Sequence, residues 1–127
     1  MDVIYCEPVP DDRRMDFVNA LFGLEFPMRL EPAIYDFARK LSPDYGGGVW
    51  EFYALSNGGF YMAPAENGYE GTLSADAFGV TVCLYAYSHL SFEKDERFSA
   101  VCAGHFHRVR EFALEHREAV AILAAID

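Results

Sequence analysis

The segment at 41–64, LSPDYGGGVWEFYALSNGGFYMAP, constrains the fold more than any other part of the chain. Residues 49–55 and 59–63 are aromatic-rich apolar runs with the composition of β-strands. Between them lies Asn57-Gly58, the dipeptide most typical of a tight hairpin turn. The segment therefore predicts an antiparallel β-hairpin around which the rest of the chain has to pack.

The loop length fixes which hairpin residues face each other. If the loop consists of the Asn-Gly pair alone, Leu55 faces Phe60 and Tyr53 faces Met62. Both faces of such a hairpin are largely apolar. Either helices cover both faces, or one face is offered to a partner.

The residues before the hairpin form a Ser-Pro-Asp-Tyr turn at 42–45 followed by three glycines at 46–48. Proline suits the second position of a turn, and the glycines permit positive φ angles and close backbone approach. Asp44 has two interpretations. The favoured one is an acceptor that closes an Asx-type turn, and the other is an exposed acidic contact.

Helix signals flank the hairpin on both sides. A first helix follows Asp11 or Asp12, either of which can cap it, and ends at Gly23. A second helix starts near Pro32 and stops before Pro43. Residues 69–73 can form a third short strand.

The remaining chain also favours helices. Ser74 can cap a helix over 75–90; a strand interpretation competes because of the β-branched residues, but the length favours helix. Helical spacing is clear over 95–114, and 119–126 predicts a last short helix. We therefore predict an α+β fold in one domain over 1–127, with four to five helices and about three mainly antiparallel strands.

The charge balance limits the class of partner. The chain has 20 acidic and 10 basic residues, and no Lys or Arg occurs between Lys40 and Lys94. Phosphate binding needs clustered Lys and Arg, so we expect no direct nucleic-acid binding. An acidic protein can meet a basic partner surface or mimic DNA. The charge can also simply keep an aromatic-rich protein soluble, which the lack of long acidic runs favours.

The sequence also predicts a cytoplasmic protein. No apolar run reaches the ~18 residues of a membrane span, and the start, MDVIYCEPVPDD, lacks the regions of a signal peptide. The three cysteines, Cys6, Cys83 and Cys102, lie outside any C-x-x-C motif. We expect them to be reduced and mostly buried.

No motif predicts a cofactor, a metal or a catalytic centre. Cys102 and His105 lie three residues apart on one helical face, but zinc needs four ligands, or three and a water. No H-E-x-x-H, G-x-S-x-G, G-x-G-x-x-G or Walker motif is present in the sequence. An enzyme that uses Asp44 together with a histidine is a less favoured hypothesis.

The segment at 41–64 closely resembles the signature of the antirestriction protein family of the ArdB/KlcA type, LSPDY, a glycine-rich stretch, W-x-F-Y-x-LSNGGF, then M-AP. The segment at 73–92, LSADAFGVTVCLYAYSHLSF, and the ending AVAILAAID resemble the same family. The resemblance implies a small cytoplasmic, non-enzymatic protein carried by plasmids, phages and prophages. Such proteins protect incoming DNA from the host's type I restriction enzymes.

The resemblance also implies where a partner would bind. We expect contact with a type I restriction enzyme or a factor controlling it; the alternative is an acidic DNA mimic that competes directly for a DNA-binding enzyme. The residues carried over from the signature as partner-binding candidates are Asp44, Tyr45, Trp50, Tyr53, Ser56, Asn57 and Gly58.

Overall fold

The computed structural model describes residues 3–42, 48–65 and 71–126. These residues form three β-strands and five α-helices, so the predicted α+β class is confirmed. None of the helices within the described ranges has both the length and the apolarity needed to cross a membrane.

The sheet has the order β1-β2-β3, with β1 at Cys6–Pro8, β2 at Trp50–Leu55 and β3 at Phe60–Pro64. Both strand pairings are antiparallel, and the predicted hairpin is the pair β2–β3. The third strand comes from the N-terminal segment, and the described part of the predicted 69–73 strand, 71–73, does not form one. Residues 71–73 form bends, whereas 69 and 70 lie outside the described residues.

The predicted hairpin register is wrong by one residue. The Leu55 N–H donates to the Gly59 carbonyl at 2.9 Å, so Leu55 does not face Phe60. Gly58 adopts a φ of 89°, and the loop contains three residues, 56–58. A turn followed by a left-handed glycine is the usual way to build a loop of this length.

The five helices lie where the sequence predicted them, but neither Asp11 nor Asp12 caps the first one, since both lie in a short 3₁₀ turn and no side chain caps the helix that follows it. The helices are α1 at Arg14–Phe22, α2 at Glu31–Leu41, α3 at Ala75–Leu90, α4 at Glu96–Glu115 and α5 at Ala119–Ile126. Ser74 caps α3 by accepting a hydrogen bond from the Ala77 N–H at 3.1 Å. Asp95 caps α4 by accepting from the Phe98 N–H at 3.2 Å. The competing strand interpretation of 75–90 is therefore wrong.

Helices cover both faces of the hairpin. On one face, Phe26, in the π-helical turn between α1 and α2, packs against Phe52 and Phe60 with ring centroids 5.6 and 6.1 Å apart. On the other face, Phe112 of α4 stacks on Tyr61 at 5.6 Å. Most aromatic side chains of the hairpin thus pack in the protein core.

Helix α3 lies against the backbone of β3. A Cβ atom at Gly79 would stand 2.2 Å from the Ala63 Cβ and 2.6 Å from the Met62 carbonyl oxygen. Only glycine allows this approach. The absence of a side chain at this position therefore sets the distance between helix and strand.

Side chains of α3 also bond to the backbone of β3. The Cys83 thiol donates to the Met62 carbonyl at 3.4 Å, and the Tyr87 hydroxyl donates to the Phe60 carbonyl at 2.7 Å. The helix thereby satisfies groups that a strand edge would otherwise leave unpaired. We call this contact, formed by Gly79, Cys83 and Tyr87 on α3 with 60–63 of β3, the α3–β3 seam.

Candidate functional site at the hairpin turn

The predicted partner-binding residues fall into three groups. Trp50 and Tyr53 lie in β2, and residues 56–58 form the hairpin turn. Asp44 and Tyr45 lie outside the described residues. The contact role of all seven residues stays a prediction, and the structure shows what the five described ones pack against.

Asn57 joins the turn to α4 through both ends of its side-chain amide. Its Oδ1 accepts a hydrogen bond from the Gly59 N–H at 3.0 Å, which closes the turn. Its Nδ2 donates to the Arg108 carbonyl at 2.9 Å. Gly59 makes this docking possible, because a Cβ there would stand 3.0 Å from the Arg108 Cβ.

Ser56 joins the turn to the N-terminal segment. Its N–H donates to the Tyr5 carbonyl at 2.9 Å, and its Oγ accepts from the Tyr5 N–H at 2.8 Å. This pair of bonds extends the ladder between β1 and β2 by one residue. The Tyr5 backbone is therefore fixed, although its side chain is 68% exposed.

A shallow surface groove runs between the N-terminal segment, the turn and the end of α4. We call it the turn groove; its lining residues are Val3, Ile4, Tyr5, Ser56, Asn57, Glu111, Leu114 and Glu115. Two of the predicted partner-binding residues, Ser56 and Asn57, thus belong to one surface feature.

Trp50 lies in the core and not on the surface. Its side chain is only 4% exposed, and its ring meets the edge of Tyr35 at 5.4 Å. Its carbonyl accepts from the Arg14 guanidinium at 2.9 Å, and the same guanidinium pairs with Glu51 at 2.9 Å. The indole therefore has a packing role that is sufficient to explain a tryptophan here.

Tyr53 is half-buried and stacks on Tyr61 at 5.0 Å between ring centroids. In the sheet it pairs with Pro8 of β1 on one side and Tyr61 on the other. Its ring is thus held by the sheet, with part of its surface accessible.

A polar cluster that the sequence did not reveal joins β3, α3 and the α4–α5 connection. Asp76 accepts from the Tyr61 hydroxyl at 2.5 Å, and its other oxygen is 2.7 Å from His116 Nε2. His116 Nδ1 accepts from the Glu118 N–H at 2.9 Å. Asp76 lies in the first turn of α3, and nothing in the sequence links it to a histidine 40 residues away.

The geometry of the cluster indicates a structural role. Nδ1 of His116 is engaged by the Glu118 N–H, and Nε2 by the Asp76 carboxylate. Both ring nitrogens are then occupied, so neither can take a proton from a substrate. Burial raises the pKa of Tyr61 far above its usual range, so its hydroxyl remains a donor to Asp76.

Glu118 completes the cluster by binding the cap of α3. Its carboxylate accepts from the Ser74 hydroxyl and from the Ser74 N–H, the latter at 3.0 Å. These hydrogen bonds hold the pKa of Glu118 below its usual value. The start of α5 is therefore fastened to the start of α3.

The cysteines do not have the properties of nucleophiles. Burial raises the pKa of the Cys83 and Cys102 thiols to about 12. It also raises the pKa of Cys6, whose sulfur lies 3.3 Å from the Tyr61 hydroxyl. A thiol that stays protonated is a poor nucleophile.

His105, which lies three residues after Cys102 on the same helix, is a buried core residue. Burial, and to a lesser degree Arg108, lowers the pKa of His105 to about 4. Within the described parts of the chain, no three His, Cys, Asp or Glu side chains converge as metal ligands would.

Comparison with known proteins relates this chain to a family. The family model described as "Antirestriction protein" matches residues 43–127. An antirestriction protein KlcA of Escherichia coli is 40% identical, with 94% of this chain and 92% of that protein covered. The uncharacterised protein YafX of E. coli K12 is 39% identical, with 94% and 86% covered.

A solved structure extends the likeness to the fold. It superimposes with a TM-score of 0.87 at 37% identity and covers 100% of this chain and 99% of that one. It comes from work on KlcA and ArdB that describes a novel fold, and antirestriction activity against type I DNA restriction systems in vivo but not in vitro. On the family match and the shared identity, this chain belongs to the antirestriction protein family.

Proposed function

We propose that this protein acts in the cytoplasm to relieve the host's type I restriction of incoming mobile DNA. It does so by contacting a protein, either the restriction enzyme or a factor that controls it. The observation that carries this proposal is the full-length superposition, at a TM-score of 0.87, on a structure from proteins described as active against type I systems in vivo.

The same description favours protein contact over direct competition with DNA. An activity present in vivo and absent in vitro is expected of a protein that needs another cell component. A DNA mimic would block the purified enzyme by occupying its DNA site, in a salt-sensitive way.

The carboxylates of this chain also fit contact better than mimicry. Several are used inside the fold: Glu51 pairs with Arg14, Asp76 binds Tyr61 and His116, and Glu118 binds Ser74. Carboxylates held in this way are not available as a surface array of phosphate-like charges.

A non-enzymatic action is consistent with the polar cluster. Its histidine has both nitrogens engaged, and its tyrosine is buried and protonated.

We propose that the partner contact lies at the hairpin signature, with Ser56, Asn57 and Gly58 shaping the surface. Asp44 and Tyr45 belong to the same proposal through the signature alone.

Plating of unmodified phage tests the function. A plasmid-borne copy of this protein is expected to raise plating on a restricting host and to leave a non-restricting host unaffected. Unchanged plating with soluble protein present would refute the proposal. In parallel, purified type I enzyme is expected to cleave DNA normally with excess protein added, whereas salt-sensitive inhibition would favour the DNA mimic.

A further inference from the structure

We infer that the turn groove is the docking surface for a basic segment of a protein partner, one that carries an apolar side chain next to Lys or Arg. The inference rests on the proposed function and names the surface and the chemistry of the contact. Its support comes from the apolar surface, the charge and the rigidity of the groove.

The groove exposes apolar side chains that come from two separate parts of the chain. Val3, Tyr5 and Leu114 line it and are 61, 68 and 50% exposed. Single exposed apolar residues are ordinary on a protein surface. Several that line one groove are typical of a contact site.

The charge of the groove has one sign. Glu111 and Glu115 lie about one turn apart on α4, and the lining contains no Lys or Arg. Glu115 accepts from the Ile4 N–H at 3.2 Å, whereas Glu111 forms no ion pair with another described residue. A cation from outside the chain has a carboxylate available to it here.

The position of these carboxylates is unfavourable for the helix itself. The C-terminal end of a helix carries partial negative charge and prefers cations, yet the last turn of α4 has no basic residue. Local choices that cost stability are expected at functional sites. A bound Lys or Arg would offset this repulsion at the end of α4.

The groove is also preformed, because hydrogen bonds within the chain hold its walls in place. Ser56 holds the Tyr5 backbone with two hydrogen bonds, and Asn57 holds the turn on the Arg108 carbonyl. A preformed surface loses less conformational entropy on binding. The hairpin signature thus contributes to binding by fixing both walls of the groove.

These features select a basic protein segment as the occupant. A nucleic acid or an anionic membrane would bring its own negative charge to Glu111 and Glu115. A segment with an apolar side chain beside Lys or Arg can pack on Leu114 and Tyr5 and pair with Glu111.

Charge reversal and truncation in the groove test the inference in the plating assay. Glu111→Lys and Tyr5→Ala are expected to lower the relief of restriction about tenfold or more. The first places like charges across the interface, and the second removes an exposed ring on which the partner's apolar side chain would pack. The matched controls are Glu93→Lys and Phe92→Ala, exposed residues in the α3–α4 connection at the other end of α4. Circular dichroism and thermal unfolding verify that every variant folds.

The outcomes separate the two proposals. Loss of relief in the groove variants with both controls active supports the groove. Full relief in both groove variants overturns it and leaves the proposed function standing. If the unmodified protein gives no relief, the proposed function is wrong, and a direct titration decides the inference about the groove.

The titration uses a synthetic peptide of alternating lysine and leucine and a matched peptide with glutamate in place of lysine. In NMR spectra of the isotope-labelled protein, only the lysine peptide is expected to shift the amides of Ser56, Asn57 and residues 111–115. Salt raised from about 0.1 M to about 0.5 M is expected to weaken the shifts. In that case, shifts at these positions support the groove, and their absence overturns it.

Discussion

The α3–β3 seam and the turn groove are built from the same hairpin, yet they use it in opposite ways. At the seam, the backbones of Gly79 and Ala63 approach so closely that no side chain fits between them. At the groove, Ser56 and Asn57 make polar contacts around exposed side chains. One continuous stretch of sequence thus carries two separate constraints, packing in residues 60–63 and surface shape in residues 56–58.

The largest effect is expected at the seam. Gly79→Ala places a Cβ 2.2 Å from the Ala63 Cβ. This steric clash can be removed only by a backbone shift, because both elements are buried. We expect the free energy of unfolding to fall by about 3 kcal/mol or more, as measured by urea denaturation. The control is Gly104→Ala in α4, where the nearest atom is the flexible end of Arg108 at 3.2 Å. That change should be neutral or stabilise by up to about 1 kcal/mol; equal losses in both variants would contradict the steric account.

The second largest effect is expected to be a loss of stability at low pH through His105, which packs against Tyr87 of the seam. His105 stacks on Tyr87 at 5.4 Å, and its pKa falls from 6.5 to about 4 on burial. The unfolded chain therefore binds a proton more readily in this range, and stability drops as the pH falls from 6.5 toward 4. The shift corresponds to about 3 kcal/mol, fully present above pH 6.5.

His105→Phe should remove this part of the acid sensitivity, because a phenyl ring can occupy the same aromatic stack without a titrating group. The measurement is urea denaturation at several pH values between 6.5 and 4.5. His107→Phe, at an exposed position of the same helix, is the control and should keep the slope of the unmodified protein. A slope in His105→Phe as steep as in the control would show that another group carries the effect.

How far the sequence predicts this fold depends on the range of the interactions. The Ser74 cap of α3 follows from local chemistry and was predicted, whereas the cap predicted for the first helix is not formed. The strand at Cys6–Pro8 was missed because it has three residues and pairs with partners 45 to 49 positions away. Short strands of this kind have no periodicity of their own.

The site shows the same limit. The Asn-Gly pair predicts a hairpin, but the sequence does not reveal that Gly58 at φ 89° makes the loop three residues long and shifts the register by one. Nor does it join Asp76 to His116, since their contact depends on how α3 and α4 pack. Local patterns predicted the elements, and only the tertiary structure placed Asn57 on α4 and Ser56 on Tyr5.

At the turn, the third prediction separates stability from function. Asn57→Ala removes the acceptor for the Gly59 N–H and the donor to the Arg108 carbonyl. We expect a loss of about 1 to 2 kcal/mol in the free energy of unfolding, smaller than at the seam because water reaches this surface. The control is Asn19→Ala on an exposed part of α1, which should change stability by less than about 0.5 kcal/mol. A loss as large as that of Gly79→Ala would remove the distinction between seam and groove.

The smallest stability effect is expected for Ser56→Ala, and it tests the groove most directly. The change deletes only the Oγ that accepts from the Tyr5 N–H, and the backbone bond from the Ser56 N–H to the Tyr5 carbonyl remains. Stability should fall by about 0.5 to 1 kcal/mol, while hydrogen exchange of the Tyr5 amide should accelerate clearly. Ser99→Ala, which loses a solvent-exposed hydroxyl bond to the Glu96 carbonyl in α4, is the matched control and should leave the exchange of the Tyr5 amide unchanged.

If relief of restriction falls in Ser56→Ala and not in Ser99→Ala, Ser56 acts by holding the groove wall, because a stability loss of this size cannot unfold the protein. Unchanged relief with faster exchange would show that the wall need not be rigid, and the contact would then rest on the charge of Glu111 and the exposed side chains of Tyr5 and Leu114.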